Sequence, residues 1–211
     1  MSNQKSLYSM NESPYRGSGQ LTREQFLFYE MRTTAKLLAD GGSQSDSVDS
    51  IVINNLFQYP TEKMIRRIAR ACVKRLECLG SDELIREVAS SDSTTAKQIC
   101  LYAMMKQYRI IWDFMISVIG TKYKQQDYTF RRRDINAFFL QLQEQDDTVA
   151  SWSESTVKKI GAVISRILIE NEYIDDGKVA VLNPVFITST LENAIRYNGD
   201  LLALPAFNCL E

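Results

Sequence analysis

Basic side chains are the residues of this chain whose type and spacing best suit chemistry with a ligand. Six of them occur in one predicted helix over residues 61–79 and are expected on its surface: Arg75 and the five candidate DNA contacts Lys63, Arg66, Arg67, Arg70 and Lys74. Helical spacing places four of these (Lys63, Arg67, Arg70 and Lys74) on one face, where they suit contacts with DNA phosphates that carry no sequence information. The alternative interpretation is an ordinary solvated face composed of good helix formers.

Two further groups of polar and basic residues follow. The stretch 121–133 has Asp127 as its one acidic residue, and its cations are Lys122, Lys124, Arg131, Arg132 and Arg133. The third group is Ser155, Lys158 and Lys159, on the polar face of a helix predicted over residues 153–174. These side chains suit phosphate contacts and close approach to a DNA groove.

The sequence argues against most kinds of enzyme. It contains no histidine, so the usual general base and the commonest metal ligand are missing. Its four cysteines form no C-x-x-C pair, and Gly17-Ser18-Gly19 is not followed by the lysine of a phosphate loop. We therefore expect a non-enzymatic protein without a metal or cofactor.

Charge and hydropathy restrict the location and the partners. The formal net charge is −1, from 25 basic and 26 acidic residues, so any site for a polyanion must be a local patch. The first residues lack the apolar core of a signal peptide, and the stretch 109–120 is too short to span a membrane. These features predict a cytoplasmic protein without a membrane partner.

Helical periodicity dominates the first 120 residues. Residues 1–20 have loop composition with a possible ordered tether at Tyr15, and a helix capped by Thr22 is predicted over residues 22–39. Further helices are predicted over 48–57, 61–79, 82–89 and 95–120, the last being the longest and carrying a buried Arg109–Asp113 pair.

The C-terminal part shows the element order of a winged helix-turn-helix. A helix over 134–145 with Asp134 as N-cap precedes a short turn, and a capping box at Ser151 and Glu154 starts the next helix. Asp176-Gly177 between apolar residues then predicts a β-hairpin, the wing. The wing is acidic, which opposes phosphate binding, and winged helices also serve as protein-docking modules.

The last elements complete the predicted organisation. A short helix is expected over 189–197, followed by an apolar, irregular tail whose Leu201, Leu202, Leu204 and Phe207 pack back onto a domain. The fold class is therefore mainly α: a flexible segment (1–20), an all-helical domain (21–127) and a winged-helix-like domain with a small β-hairpin and the tail (128–211).

The sequence resembles the BrxA family of bacteriophage-exclusion (BREX) phage-defence systems. The resemblance covers most of the chain and depends on Tyr15 with the segment 21–41, on Lys106 and 108–114 in the long predicted helix, and on Trp152, Ser153, Thr156, Lys159 and Leu168. It implies a cytoplasmic, mainly helical protein whose N-terminal part is similar to the RNA-binding factor NusB. It also implies double-stranded DNA binding beside other BREX proteins: a methyltransferase, an ATPase and a phosphatase-like protein.

These observations favour a DNA-binding component of a defence complex with little sequence preference. Two alternatives stay open at this point. One is a protein-docking adaptor that bridges other defence subunits, and the other is a winged-helix transcriptional regulator, which would require a symmetric dimer and a preferred operator.

Overall fold

The structure, a computed structural model, describes residues 12–175 and 180–210. In this part of the chain there are eleven α-helices, joined mostly by short loops, and two very short strands. The helices of the first part are α1 (Phe28–Ala39), α2 (Gln44–Ile53), α3 (Glu62–Glu77), α4 (Asp82–Ser90), α5 (Ser93–Gln107), α6 (Arg109–Phe114) and α7 (Thr121–Lys124). The mainly helical fold class is thus confirmed. No helix among these residues is long and apolar enough to cross a membrane.

The long helix predicted over residues 95–120 is broken. Tyr108 has extended backbone angles (φ −122°, ψ 106°), so α5 ends before it and α6 begins after it. The residues Met115–Gly120 then form a π-helical turn that leads into α7. Apolar side chains continue on both sides of Tyr108, and for this reason the hydrophobic pattern does not reveal the break. The Arg109–Asp113 pair is present at 2.8 Å, but Arg109 is 55% exposed, so the pair is not buried.

The second part of the chain begins with β1 (Thr129–Phe130), followed by α8 (Arg132–Gln145), α9 (Asp147–Ala150) and α10 (Glu154–Glu170). Strand β2 (Ala180–Val181) pairs antiparallel with β1, in the register Thr129 to Val181 and Phe130 to Ala180. The predicted turn at Asp176-Gly177 lies outside the described residues. The described strands are separated by three helices and are therefore not the predicted hairpin. Near its expected position, the Asn183 N–H donates to the Tyr173 carbonyl at 2.8 Å.

Two predicted N-caps in the second part of the chain are shifted. Ser153, not Ser151, caps α10, because its Oγ accepts the Thr156 N–H at 3.3 Å while the Ser151 hydroxyl donates to the Thr148 carbonyl at 2.7 Å. In α8, Asp134 lies in the first turn and accepts the Arg131 N–H at 2.6 Å.

The N-terminal segment 12–27 forms a strap across the molecule. Helix α1 begins at Phe28 because Leu27 adopts a left-handed conformation (φ 57°), and Ser18–Thr22 form a separate 3₁₀ turn that packs on α10. The Tyr15 hydroxyl donates to Asp113 at 2.7 Å, as the predicted tether requires. Ser13 Oγ donates to Asp146 at 3.0 Å, so the strap contacts residues from both predicted domains.

The C-terminal elements return to the first helices. Helix α11 (Ser189–Tyr197) has the predicted bounds, and a 3₁₀ helix over Leu201–Phe207 follows it. Asp200 accepts hydrogen bonds from Tyr102 (2.5 Å) and Lys106 (2.8 Å) of α5. Leu204 and Phe207 are buried as predicted, whereas Leu201 and Leu202 are more than half exposed. One continuous hydrophobic core includes residues of both parts.

Candidate nucleic-acid interface

Helix α3 carries the most concentrated positive surface. Thr61 caps it by accepting the Met64 N–H at 3.3 Å, and Ile65, Ile68 and Leu76 bury one stripe against the core. The opposite side exposes four of the five predicted cations: Lys63, Arg67, Arg70 and Lys74. Together with Arg66 they line one groove, the α3 groove, of about 680 Å³.

The charges of these four side chains are not neutralised within the protein. In the part of the chain that the structure describes, no carboxylate lies within ion-pair distance of any of them. Arg66 differs, because its guanidinium contacts Asp49 at 2.6 Å across the surface. The lining includes one described carboxylate, Glu24, which is 9% exposed. The remaining lining is mixed: Gln20, Thr61 and Gln107 are polar, and Met64, Ala71 and Tyr108 are largely apolar.

Arg75 contacts two lining residues of the α3 groove, Glu24 and Tyr108, from within the core. The sequence predicts Arg75 on the surface of this helix, but its side chain is fully buried. Its guanidinium donates to the backbone carbonyls of Glu24, Gln25 (2.8 Å) and Phe26 (3.1 Å). It also lies over the Tyr108 ring, 5.2 Å from the centroid. Arg75 therefore fixes the end of the strap beside the broken helix.

The predicted second group does not form one surface. Lys122 is only 11% exposed and lies between Asp127 (2.8 Å) and Asp134 (3.3 Å). Hydrogen bonds from Lys122 and Thr129 hold the pKa of the Asp127 carboxyl well below its usual value. The contacts of Lys122 are those of a brace at the start of α8, which argues against a phosphate contact. Lys124 is exposed, but it lines neither the α3 groove nor the groove between α8 and α10.

Arg131 and Arg132 face a second groove, which lies between α8 and α10. This α8–α10 groove has a volume of about 810 Å³ and also includes Lys158 and Arg166. Arg133, Ser155 and Lys159 are exposed outside it. Of the thirteen predicted site residues, three line the α8–α10 groove and five line the α3 groove. Arg166, which lies among the helix residues off the buried stripe, joins the second groove as a fourth cation.

Metal-ligand clusters and reactive thiols are two kinds of group that could support catalysis. No cluster of three or more acidic, cysteine or histidine side chains could hold a metal ion there. The four cysteines are free thiols. Burial raises the pKa of the Cys72 thiol to about 12, and burial likewise raises the pKa of Cys100. Buried thiols with raised pKa values are poor nucleophiles.

Comparison with known proteins agrees with the resemblance seen in the sequence. The BrxA family model matches residues 14–199. A protein of Bacillus cereus (strain H3081.97) named "BREX protein BrxA" is 34% identical over 176 residues, which cover 82% of this chain and 87% of the relative. A protein of the same name from Paramagnetospirillum magneticum (strain ATCC 700264 / AMB-1) is 26% identical over 171 residues, covering 81% and 85% of the two chains.

A solved structure shows the same fold. The crystal structure of an uncharacterized protein from Magnetospirillum magneticum superposes with a TM-score of 0.75 at 22% identity, and covers 91% of this chain and 98% of the other. At this identity the likeness shows the fold alone. The match to the family model and the relative at 34% identity confirm the resemblance that the sequence suggested. The chain therefore belongs to the BrxA family.

Proposed function

We propose that this protein is a non-enzymatic, cytoplasmic component of a BREX phage-defence system that binds double-stranded DNA with little sequence preference. Family membership supports the defence role, because the relatives carry the name "BREX protein BrxA". The observation that carries DNA binding is the row of four exposed, unneutralised cations along the α3 groove. The proposed protein partners are the other BREX proteins that the resemblance implies: a methyltransferase, an ATPase and a phosphatase-like protein.

The dimensions of the α3 row suit a duplex. Lys63 and Lys74 are eleven residues apart, which corresponds to about 16 Å along a helix. Phosphates follow each strand of B-DNA with an axial rise of about 3.4 Å, so the row matches about five base-pair steps. Side chains of this type contact phosphate oxygens and carry no base readout by themselves. A low sequence preference follows.

The order of the C-terminal elements supports a winged-helix assignment. Helices α8, α9 and α10 follow one another with β1 and β2 as flanking strands. In such a fold α10 would be the helix offered to a DNA groove, N-terminal end first. Ser155, Lys159 and Arg133 are exposed and extend the proposed DNA surface. The NusB-like assignment of the N-terminal helices also belongs to this proposal and comes from the family resemblance.

A salt titration tests the proposal. The full chain is titrated against a fluorescent random-sequence duplex of 25 base pairs at several salt concentrations. Four neutralised phosphates predict a slope of log K against log salt of about −3.6, which is a loss of about 150-fold between 50 and 200 mM salt. Replacing Lys63, Arg67, Arg70 and Lys74 with glutamine should remove this slope. Arg86, an exposed arginine outside both grooves, provides the matched control Arg86→Gln.

Two results would overturn the assignment. The first is an absence of duplex binding at low salt, which would make α3 a solvated face. The second is an unchanged slope in the α3 variant, which would move the contact elsewhere. The α8–α10 groove favours a second candidate function, docking of another subunit, because parts of Val157, Ala162 and Ile169 are exposed among its four cations.

A further inference from the structure

The α8–α10 groove combines an apolar floor with a basic rim. Six apolar residues contribute to its lining: Phe130, Ile135, Phe139, Val157, Ile169 and Ile174. Val157 and Ile169 are half-buried, whereas the other four belong to the core and expose only small areas. Four cations surround them: Arg131, Arg132, Lys158 and Arg166. Two carboxylates, Glu170 and Asp175, complete the charged lining, whereas the α3 groove has five cations and one described carboxylate.

Small residues on α10 create the space in this groove. Gly161 packs closely on α8: a Cβ atom there would lie 3.3 Å from Ile135 Cγ2 and 3.6 Å from a ring carbon of Phe139. The neighbouring Ala162 is exposed, and Ser165 is half-buried with its hydroxyl bonded to the Gly161 carbonyl at 3.1 Å. The centre of the groove is therefore lined by side chains that leave room for those of another molecule.

The rim cations are available to an external carboxylate. Arg131 and Arg132 have no ion pair within the described residues. Lys158 contacts Glu154 at 3.1 Å and Arg166 contacts Glu170 at 3.1 Å, in both cases one turn away on the same helix. Exposed pairs of this kind contribute little to stability, so an incoming carboxylate can replace them.

We propose that the α8–α10 groove is the docking site for a short, acidic, amphipathic helix of another protein. Phosphates would satisfy the rim but leave the exposed parts of Val157, Ala162 and Ile169 uncovered, whereas apolar side chains at helical spacing would cover them. The α10 residues that line the groove run from Val157 to Glu170, about 20 Å, which fits a partner helix of about three to four turns. This inference stands on the groove alone and does not require DNA binding at α3.

The test measures fluorescence anisotropy of a labelled synthetic peptide with the full chain at 150 mM salt. The probe is a 14-residue peptide with leucine at positions i, i+3, i+4, i+7 and i+11 and glutamate at most other positions. One control peptide replaces the leucines with serine, and a second replaces the glutamates with lysine. We expect a Kd on the order of 10–100 µM for the probe and binding at least tenfold weaker for both controls.

Variants of the protein locate the binding. Ala162→Phe fills the groove at an exposed position without changing charge, and Lys158→Glu reverses a rim charge. Each substitution should weaken binding of the probe peptide at least tenfold. Lys159→Glu makes the same charge change one residue further along, outside the groove, and should alter binding by less than about threefold because salt screens its charge. Unchanged thermal unfolding would show that the variants are folded.

Several outcomes would overturn the proposal. If the serine control binds as tightly as the probe, the interaction is charge attraction alone. If the lysine control binds as tightly as the probe, the rim cations have no role. Undiminished binding by Ala162→Phe would place the peptide elsewhere. If Ala162→Phe and Lys158→Glu instead weaken the 25-base-pair duplex tenfold while the probe does not bind, DNA is the occupant of this groove. Because the α3 variant leaves this groove intact, its loss of DNA binding would not affect the peptide result.

Discussion

Replacing Arg75 with methionine should destabilise the protein by about 3–5 kcal/mol, although the substitution approximately preserves side-chain volume. Arg75 is fully buried, and its guanidinium satisfies three backbone carbonyls at the end of the strap. Its hydrogen bonds to Glu24 and Phe26 are buried and the one to Gln25 is partly buried. Methionine offers no donor, so all three acceptors lose their partner at once.

The magnitude follows from these contacts. A buried acceptor left without a donor costs about 1–3 kcal/mol, and two of the three carbonyl bonds are buried. The contact of the guanidinium with the Tyr108 ring adds about 1–2 kcal/mol when desolvated. Against this, removal of a buried charge recovers part of its desolvation penalty. The net estimate of about 3–5 kcal/mol equals the usual cost of breaking a buried charged interaction.

Thermal and denaturant unfolding provide the assay. For a chain of this size, each kcal/mol shifts the Tm by about 2–4 °C, so Arg75→Met should lower the Tm by about 6–20 °C. The matched control is Arg70→Met on the exposed side of the same helix, which should stay within about 0.5 kcal/mol of the wild type. A Tm for Arg75→Met within 2 °C of the wild type would refute the reasoning and show that the strap carbonyls find other partners.

Three further predictions concern caps, thiols and acid. Ser153→Ala should cost about 1 kcal/mol because it removes the α10 cap, whereas Ser151→Ala should cost less than about 0.5 kcal/mol; denaturant unfolding of both variants decides this. In native protein at pH 8, iodoacetamide should leave the buried Cys72 and Cys100 unmodified by mass spectrometry, and rapid labelling would contradict their burial. The pKa of the Asp127 carboxyl is lower in the folded than in the unfolded protein. The stabilisation that Asp127 contributes is therefore complete above its unfolded pKa of about 3.9 and is lost as the pH falls through the folded value. The unfolding midpoints of the wild type and Asp127→Asn should converge in acid, and a constant difference would contradict this.

Local sequence signals sufficed where one segment determines its own structure. Helix α11 has the bounds that its periodicity predicts, and the helical spacing of Ile65, Ile68, Cys72 and Leu76 accounts for the buried stripe of α3. Capping was harder, because Ser151 and Ser153 both precede helical sequence and both have a partner three residues later. The choice depends on the Ser151 hydroxyl, which bonds back to the Thr148 carbonyl.

Features that depend on distant residues could not be predicted in the same way. The break at Tyr108 lies inside a continuous apolar pattern, and Arg75 receives its partners from residues about fifty positions earlier. Arg75 did carry a signal: it follows Ile68 by seven residues and Cys72 by three, which places it on the buried stripe. A cation on such a stripe requires buried acceptors, and the sequence does not say where they come from.

The two cationic grooves show why charge alone does not identify a ligand. Both collect four or five cations on a chain whose net charge is −1, so both are local departures from a balanced surface. Both linings combine cations with apolar residues, but the α3 groove has five cations and one described carboxylate, whereas the α8–α10 groove has four cations and two carboxylates. The exposed parts of Val157, Ala162 and Ile169 add binding energy only when apolar atoms of a ligand cover them, which DNA phosphates cannot do. The two proposals therefore assign different ligands to the two grooves, and they predict that variants in one groove leave the ligand of the other unaffected.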